Sequence, residues 1–279
     1  MHKEIFYTDK DINVFRLAVF SDLHYYENYS KKLLNKIVKQ VRDSKADYIL
    51  ILGDILDSSD CVELDGLRDF LTTLASITTT IVIVGNHDAK EGYRHHWNSN
   101  HNEELMKLLK SIDNLHCLDD SNYTVNGINF YGFNMSYDYY DKNEPYEMFE
   151  EEIKDINPKL NDKNYNITLV HSPINIYKFL KRNINHELNK TDLILSGHMH
   201  NGCLPYWFSN MINKAFHTSR SFASPDHSYF PKYGQGRVYE RDGYIYQGIS
   251  KFSHSTQLFS LFDWIYVKKI TIIDVKKHQ

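Results

Sequence analysis

The sequence predicts an α/β fold, and three observations predict it. Between residues 13 and 84, short apolar runs alternate with amphipathic segments of helical period. Each apolar run stops at Ser or Gly followed by Asp or Asn. Further apolar runs, at 167–170 and 193–195, stop in the same way at histidine-containing segments. The β-α-β-α-β rhythm implies right-handed crossovers in a mainly parallel sheet region.

The elements follow in order. Residues 13–20 read as a buried strand ending at Ser21-Asp22. Leu33, Leu34, Ile37, Val38 and Val41 then share one helical face. A second strand, 48–52, ends at Gly53-Asp54, and Leu64, Leu67, Phe70, Leu71 and Leu74 form the next helical face. A third strand, 80–84, ends at Gly85-Asn86. Residues 103–110 read as a helix, and 123–133 as a strand pair around the Asn126-Gly127 turn. A helix at 147–156 is stopped by Pro158. The strands at 167–170 and 193–195 run into His171-Ser172-Pro173 and Gly197-His198-Met199-His200. Residues 201–248 are rich in Gly, Pro, aromatic and basic residues without periodicity, which predicts long loops beside a site. A closing strand is expected at 268–275. No repeat or low-complexity linker occurs, so residues 1–279 are expected to form a single domain with its motif core at 14–200.

Composition narrows the function. Of 279 residues, 42% are hydrophobic and 24% charged, enough to bury a full core and too apolar for disorder. A net charge of −4 argues against a broadly basic nucleic-acid surface. The three cysteines, Cys61, Cys117 and Cys203, are too far apart to suggest a thiolate zinc site or a disulfide framework. Residues 1–14 lack the apolar core of a signal peptide, and no apolar run approaches the roughly 18 residues of a membrane span. The expectation is a cytoplasmic protein, membrane-associated if an anchor lies upstream. Tyr206-Trp207-Phe208 offers a weak peripheral membrane contact.

Metal-ligand residue types stand at the predicted strand exits. They are Asp22-Leu23-His24, Asp54, Asn86-His87-Asp88, His171 and His198-Met199-His200. Ligands of open α/β sheets gather at the carboxyl ends of strands, so these segments can converge. In D-x-H and H-x-H, extended backbone would send both side chains to one side. Oxygen and imidazole donors suit Mn, Fe or Zn, and a bridging carboxylate offsets the repulsion between two cations.

The series D-x-H, G-D-x-x-D, G-N-H-D, H-x-P and G-H-x-H, spanning residues 22–200, resembles the calcineurin-like metallophosphoesterase superfamily. His-Asn-Gly at 200–202 and a later Gly-Ile-Ser make the ending similar to a bacterial branch of single-domain phosphoesterases. The resemblance implies a four-layer αββα sandwich of two mixed β-sheets flanked by helices. It implies that Asp22, His24 and His200 hold a first metal, that Asp54 bridges, and that Asn86, His171 and His198 complete a second. His87 would protonate the leaving group, and Asp57 would orient it. Two divalent or trivalent ions, Mn²⁺, Fe or Zn²⁺, and attack by a metal-bound hydroxide on an anionic phosphate-ester substrate are implied with them. Met199 and Cys203 depart from the residues usual in that branch.

Other candidates are bland beside these. Arg94, His95, His96 and Trp97 read as a solvated loop that could contact a phosphate or base. Arg220, His227, Lys232, Arg237 and Arg241 are interleaved with Phe222, Tyr229, Phe230, Tyr233 and Tyr239, and would suit an anionic substrate or simply pack the loops. A nuclease, or a non-catalytic scaffold with the same fold, are the rival readings. The scaffold would be expected to have lost ligands that are all present here.

Overall fold

The computed structural model describes residues 1–27, 29–57, 63–88, 102–134, 146–199, 236–238, 241–246, 248–249 and 269–278. In chain order the strands are β1 (His2–Thr8), β2 (Phe15–Phe20), β3 (Tyr48–Leu52), β4 (Thr80–Ile83), β5 (Leu115–Cys117) and β6 (Ser121–Val125). They continue with β7 (Ile128–Phe133), β8 (Tyr165–Val170), β9 (Leu193–Ser196), β10 (Gly236–Val238), β11 (Gly243–Ile245) and β12 (Thr271–Lys277). The helices are α1 (Lys31–Ser44), α2 (Asp65–Ile77), α3 (Glu103–Lys110), α4 (Tyr146–Ile153) and α5 (Ile176–Arg182).

Two six-stranded mixed sheets result, ordered β1-β12-β2-β3-β4-β5 and β10-β11-β9-β8-β7-β6. The run β2-β3-β4-β5 is parallel, as is β7-β8-β9-β11. The sheets face each other across one apolar core, where Phe15 meets Tyr165 edge-on and Tyr48 packs on Phe130. The amphipathic faces of α1 and α2 close that core from outside the first sheet, burying Ile37 and Val41, Leu67 and Leu71. On the outer side of the second sheet, Tyr131, Phe133 and Val170 pack with Phe149 of α4 and Phe179 of α5. The order helix, sheet, sheet, helix is the four-layer sandwich expected.

Local chemistry sets the boundaries. Ser30 caps α1 by accepting from the Leu33 N–H, and Lys45 ends it in the left-handed region. Asn102 caps α3, whose first turn is acidic and last turn basic, in line with the helix dipole. Asn126 and Gly127 both have positive φ, which is what a two-residue hairpin loop of type I′ requires. No helix among the described residues is long and apolar enough to cross a membrane.

The structure adds elements that periodicity did not suggest. β1 lies in a polar stretch because it is an edge strand; Phe6 and Thr8 are buried while the residues around them face outward. β5 and α5 are only 3 and 7 residues long, too short for a period to declare itself. Residues 201–248 were expected to be loops, but their described parts include the β10-β11 hairpin, which joins β9 through parallel β11.

β1, β2 and β12 are also tied by charge. Arg16 donates to both Asp274 carboxylate oxygens, at 2.6 and 3.1 Å, and Lys3 reaches the same group at 2.9 Å. The Arg16 hydrogen bond, working against burial and aided by Lys3, holds the Asp274 carboxyl below the usual range. A folded pKa below the unfolded one gives stability that is present above about pH 4 and lost as pH falls through the folded value. Asp274→Asn is therefore expected to cost about 1 kcal/mol at neutral pH. Urea midpoints of variant and wild type should differ there and converge towards about pH 3.

Candidate metal centre

The ends of β2, β3 and β4 in the first sheet, and of β8 and β9 in the second, meet at one edge of the sandwich. They bring Asp22, His24, Asp54, Asn86, His87, His171 and His198 to one place. His200 lies outside the described residues, as do Arg94, His95, His96, Trp97, Tyr206, Trp207, Phe208, Arg220, His227 and Lys232.

Asp22 and His24 are not in extended backbone. Both have positive φ, as do Asp54 and His198. The left-handed region is unfavourable for residues with a Cβ, though Asp, Asn and His tolerate it best. The strain is held by a ladder between loops: Asp22 N–H donates to Gly53 O at 3.0 Å, His24 N–H to Asp54 O at 3.0 Å, and Tyr25 N–H to Ile55 O at 2.7 Å. The D-x-H pair converges because this ladder clamps it onto the G-D loop, not because of strand alternation.

Asp88 fastens that loop to the next one. Its Oδ1 accepts from Ile55 N–H and Leu56 N–H, both at 2.9 Å, and its Oδ2 from Gly85 N–H at 2.8 Å. Burial and then the Asp54 charge push its pKa up to about 7, against the Leu56 and Gly85 backbone donors. It thus serves as a hydrogen-bond acceptor that joins two ligand-bearing loops.

Close approach requires glycine at two points. A Cβ on Gly53 would lie 2.5 Å from His171 Nδ1, and its φ of 89° disfavours any side chain. A Cβ on Gly85 would collide with Asp54 Oδ1 and lie 2.6 Å from Asp54 N.

Asp54 is the centre of the arrangement. Its Oδ2 is 3.2 Å from His171 Nε2 and 3.8 Å from His24 Nε2, and its Oδ1 accepts from His87 N–H at 2.9 Å. Two triads of donor atoms, each within 4.8 Å of one another, share it: His24, Asp54 and His87, and Asp54, His171 and His198. Asp22 receives His198 N–H on both carboxylate oxygens at 3.2 Å. Burial alone would raise Asp54, yet His171, His87 and His24 hold it well below the usual carboxylate range. Burial likewise opposes protonation of His171, but the Asp54 charge and hydrogen bond raise it to about 9. A cation seated between them would take that proton's place.

Donor chemistry and burial fit metal ions. Asp54, His24, His171 and His198 are at most 7% exposed. Asn86 Oδ1 is buried without a hydrogen-bond partner among the described residues, an arrangement that costs free energy unless a ligand reaches it. His171 Nδ1–H donates to the Leu52 carbonyl at 2.6 Å, so Nε2 is the atom turned to Asp54. That carbonyl also accepts from Ser21 Oγ at 3.0 Å.

Asp57 contacts two of the histidines. The contact to His87 Nδ1 is made by the Asp57 backbone carbonyl, at 2.7 Å. The Asp57 carboxylate instead lies 3.5 Å from His24 Nδ1.

The model of the family described as "Calcineurin-like phosphoesterase" matches residues 15–202. The chain belongs to that family. Relatives include "Uncharacterized metallophosphoesterase" proteins of two Helicobacter pylori strains. One is 28% identical over 75% of this chain and 50% of its own length, the other 26% over 87% and 58%. The chain thus spans about half the length of the curated relatives it matches. Among solved structures, a dimetal phosphatase from Danio rerio aligns at TM-score 0.43 and 12% identity over 84% of this chain and 88% of that one. A purple acid phosphatase from yellow lupin aligns at 0.39 and 17% over 68% and 38%.

Several features of this phosphoesterase domain were not readable beforehand. The Leu52 carbonyl and Ser21 hydroxyl act through backbone geometry that no side-chain pattern reports. Ile249 N–H donates to Ser21 O at 3.0 Å, bringing Ile249 beside Asp22. Two basic candidates are engaged in packing: Arg241 donates to the Asn189 and Thr191 carbonyls, and Arg237 lies over the Phe6 ring. Met199 is buried against Val238 and Ile245.

Proposed function

We propose that the chain hydrolyses phosphate esters through a dinuclear metal site bridged by Asp54. The observation that carries this reading is that one buried carboxylate, Asp54, belongs to two clusters of candidate donor atoms. Asp22, His24 and His200 would hold one ion, and Asn86, His171 and His198 the other. Bound ions would supply charge neutralisation at the phosphoryl oxygens and a water nucleophile activated near neutral pH. Manganese, iron and zinc all suit the donor set.

The chain's own residues do the rest. His87 is the partly exposed histidine of the group, whereas His24, His171 and His198 are buried. Its partial exposure supports a role towards substrate. With Nδ1–H donated to the Asp57 carbonyl, His87 Nε2 is the atom able to give a proton to the leaving alkoxide. The leading substrate class is a phosphodiester or phosphomonoester. A net charge of −4 gives a nuclease no support.

Metal-stripped protein reconstituted with manganese should turn over an aryl phosphodiester or monoester, and chelation should abolish that turnover. Metal binding at neutral pH should also release protons, because a cation displaces the proton that Asp54 retains on His171. Calorimetric titrations in buffers of different ionisation enthalpy would detect the release. Two bound metals without turnover of either ester would favour the scaffold reading; no bound metal would refute the proposal.

A further inference from the structure

We infer that Ser21 is a positioning residue whose hydroxyl sets the spacing between the two groups of metal ligands. The inference rests on the dinuclear reading above. Asp54, Asn86 and His198 each follow a glycine, whereas Asp22 follows a serine. That serine is fully buried. A buried hydroxyl calls for a hydrogen-bond partner, and this one takes it from a neighbouring strand exit.

Ser21 closes a ring that runs through four strand exits and both sheets. From the end of β2, its Oγ–H donates to the Leu52 carbonyl at the end of β3, at 3.0 Å. The same carbonyl accepts from Nδ1–H of His171, just past β8, at 2.6 Å. The His171 carbonyl accepts from Gly197 N–H, just past β9, at 2.9 Å. Gly197 then returns to Ser21: a Cβ there would collide with Ser21 Oγ and lie 2.8 Å from Asp22 Oδ2. The space left by the missing side chain at 197 is the space that the Ser21 hydroxyl takes.

The ring joins ligands assigned to different ions. Asp22 follows Ser21 and belongs with one ion, whereas His171 and His198, next to Gly197, belong with the other. Asp22 also accepts His198 N–H on both carboxylate oxygens at 3.2 Å, so the two groups are coupled through this corner. Removing the hydroxyl would take a donor from the Leu52 carbonyl and open a gap against Gly197. Packed backbone relaxes only partly into such a gap, and the ligands on either side move with it.

The test is electron paramagnetic resonance of the manganese-loaded protein, in which magnetic coupling between two ions reports their separation and bridging. Ser21→Ala is compared with Ser44→Ala, which removes a buried hydroxyl that donates to the Val41 carbonyl at the C-terminal end of α1. Thermal midpoints should fall by roughly 2–4 °C in both. Ser21→Ala should still take two manganese ions at saturation, about 10-fold more weakly than wild type, with an altered coupled spectrum. At saturating manganese its kcat should fall about 10- to 100-fold with KM nearly unchanged. Ser21→Thr, which keeps the hydroxyl, should retain the wild-type coupling. A wild-type spectrum in Ser21→Ala would overturn the inference, whatever its affinity. An equal shift in Ser44→Ala would overturn it too, by marking a general loss of stability, and an equal shift in Ser21→Thr would show that the hydroxyl is not the cause. Wild-type protein without a coupled spectrum would instead remove the dinuclear reading, and this inference with it.

Discussion

Asp54→Ala is expected to remove metal-dependent ester hydrolysis by about three orders of magnitude or more, since charge stabilisation by bound metals is worth several kcal/mol. Asp54 belongs to both ligand triads and accepts from the His87 backbone. Its charge and hydrogen bond work against the burial that would otherwise lower the His171 pKa. Removing it would deprive both metal positions of their shared oxygen and take from buried His171 its nearest carboxylate. Asp54→Asn keeps an acceptor for the His87 N–H and separates lost charge from lost shape. Mass spectrometry should find fewer metals per chain in both variants than in wild type. Full activity in Asp54→Ala would end the dinuclear reading.

That Asp54 could be singled out at all follows from how strand exits are written. The runs ending at Phe20, Leu52, Ile83, Val170 and Leu195 are mostly apolar because their strands are buried on both faces. A polar residue just past such a run stands out. Hence most of the candidate site was legible, and so was the helix-strand rhythm of α1, α2 and the first sheet.

What stayed hidden was whatever depends on partners far along the chain. β1 and the β10-β11 hairpin exist because β12 and β9 offer them an edge, and their own residues carry no clear alternation. The clamp between residues 22–25 and 53–57 is made of main-chain groups, so the D-x-H pair was expected in extended backbone and is instead left-handed. The Asp57 carboxylate shows the same limit. Spacing placed the residue near His87 but did not distinguish its carbonyl from its side chain.

His87→Ala is expected to lower turnover of an alkyl phosphate ester by about 10²- to 10⁴-fold, the range of general acid catalysis. The loss should be much smaller for a nitrophenyl ester, whose leaving group departs as a stable anion and needs no proton. Leaving-group dependence separates acid catalysis from binding, because a lost contact to the phosphoryl group would slow both esters alike. Metal content supplies the second discriminator. His87 shares a donor cluster with His24 and Asp54, so by distance alone it is also a candidate ligand. As an acid, it can be removed with both metals retained. As a ligand, its loss should release one metal per chain and slow every ester. The backbone supports the first outcome: with Nδ1 engaged by the Asp57 carbonyl and the ring partly exposed, Nε2 is the nitrogen left to meet an incoming ester oxygen.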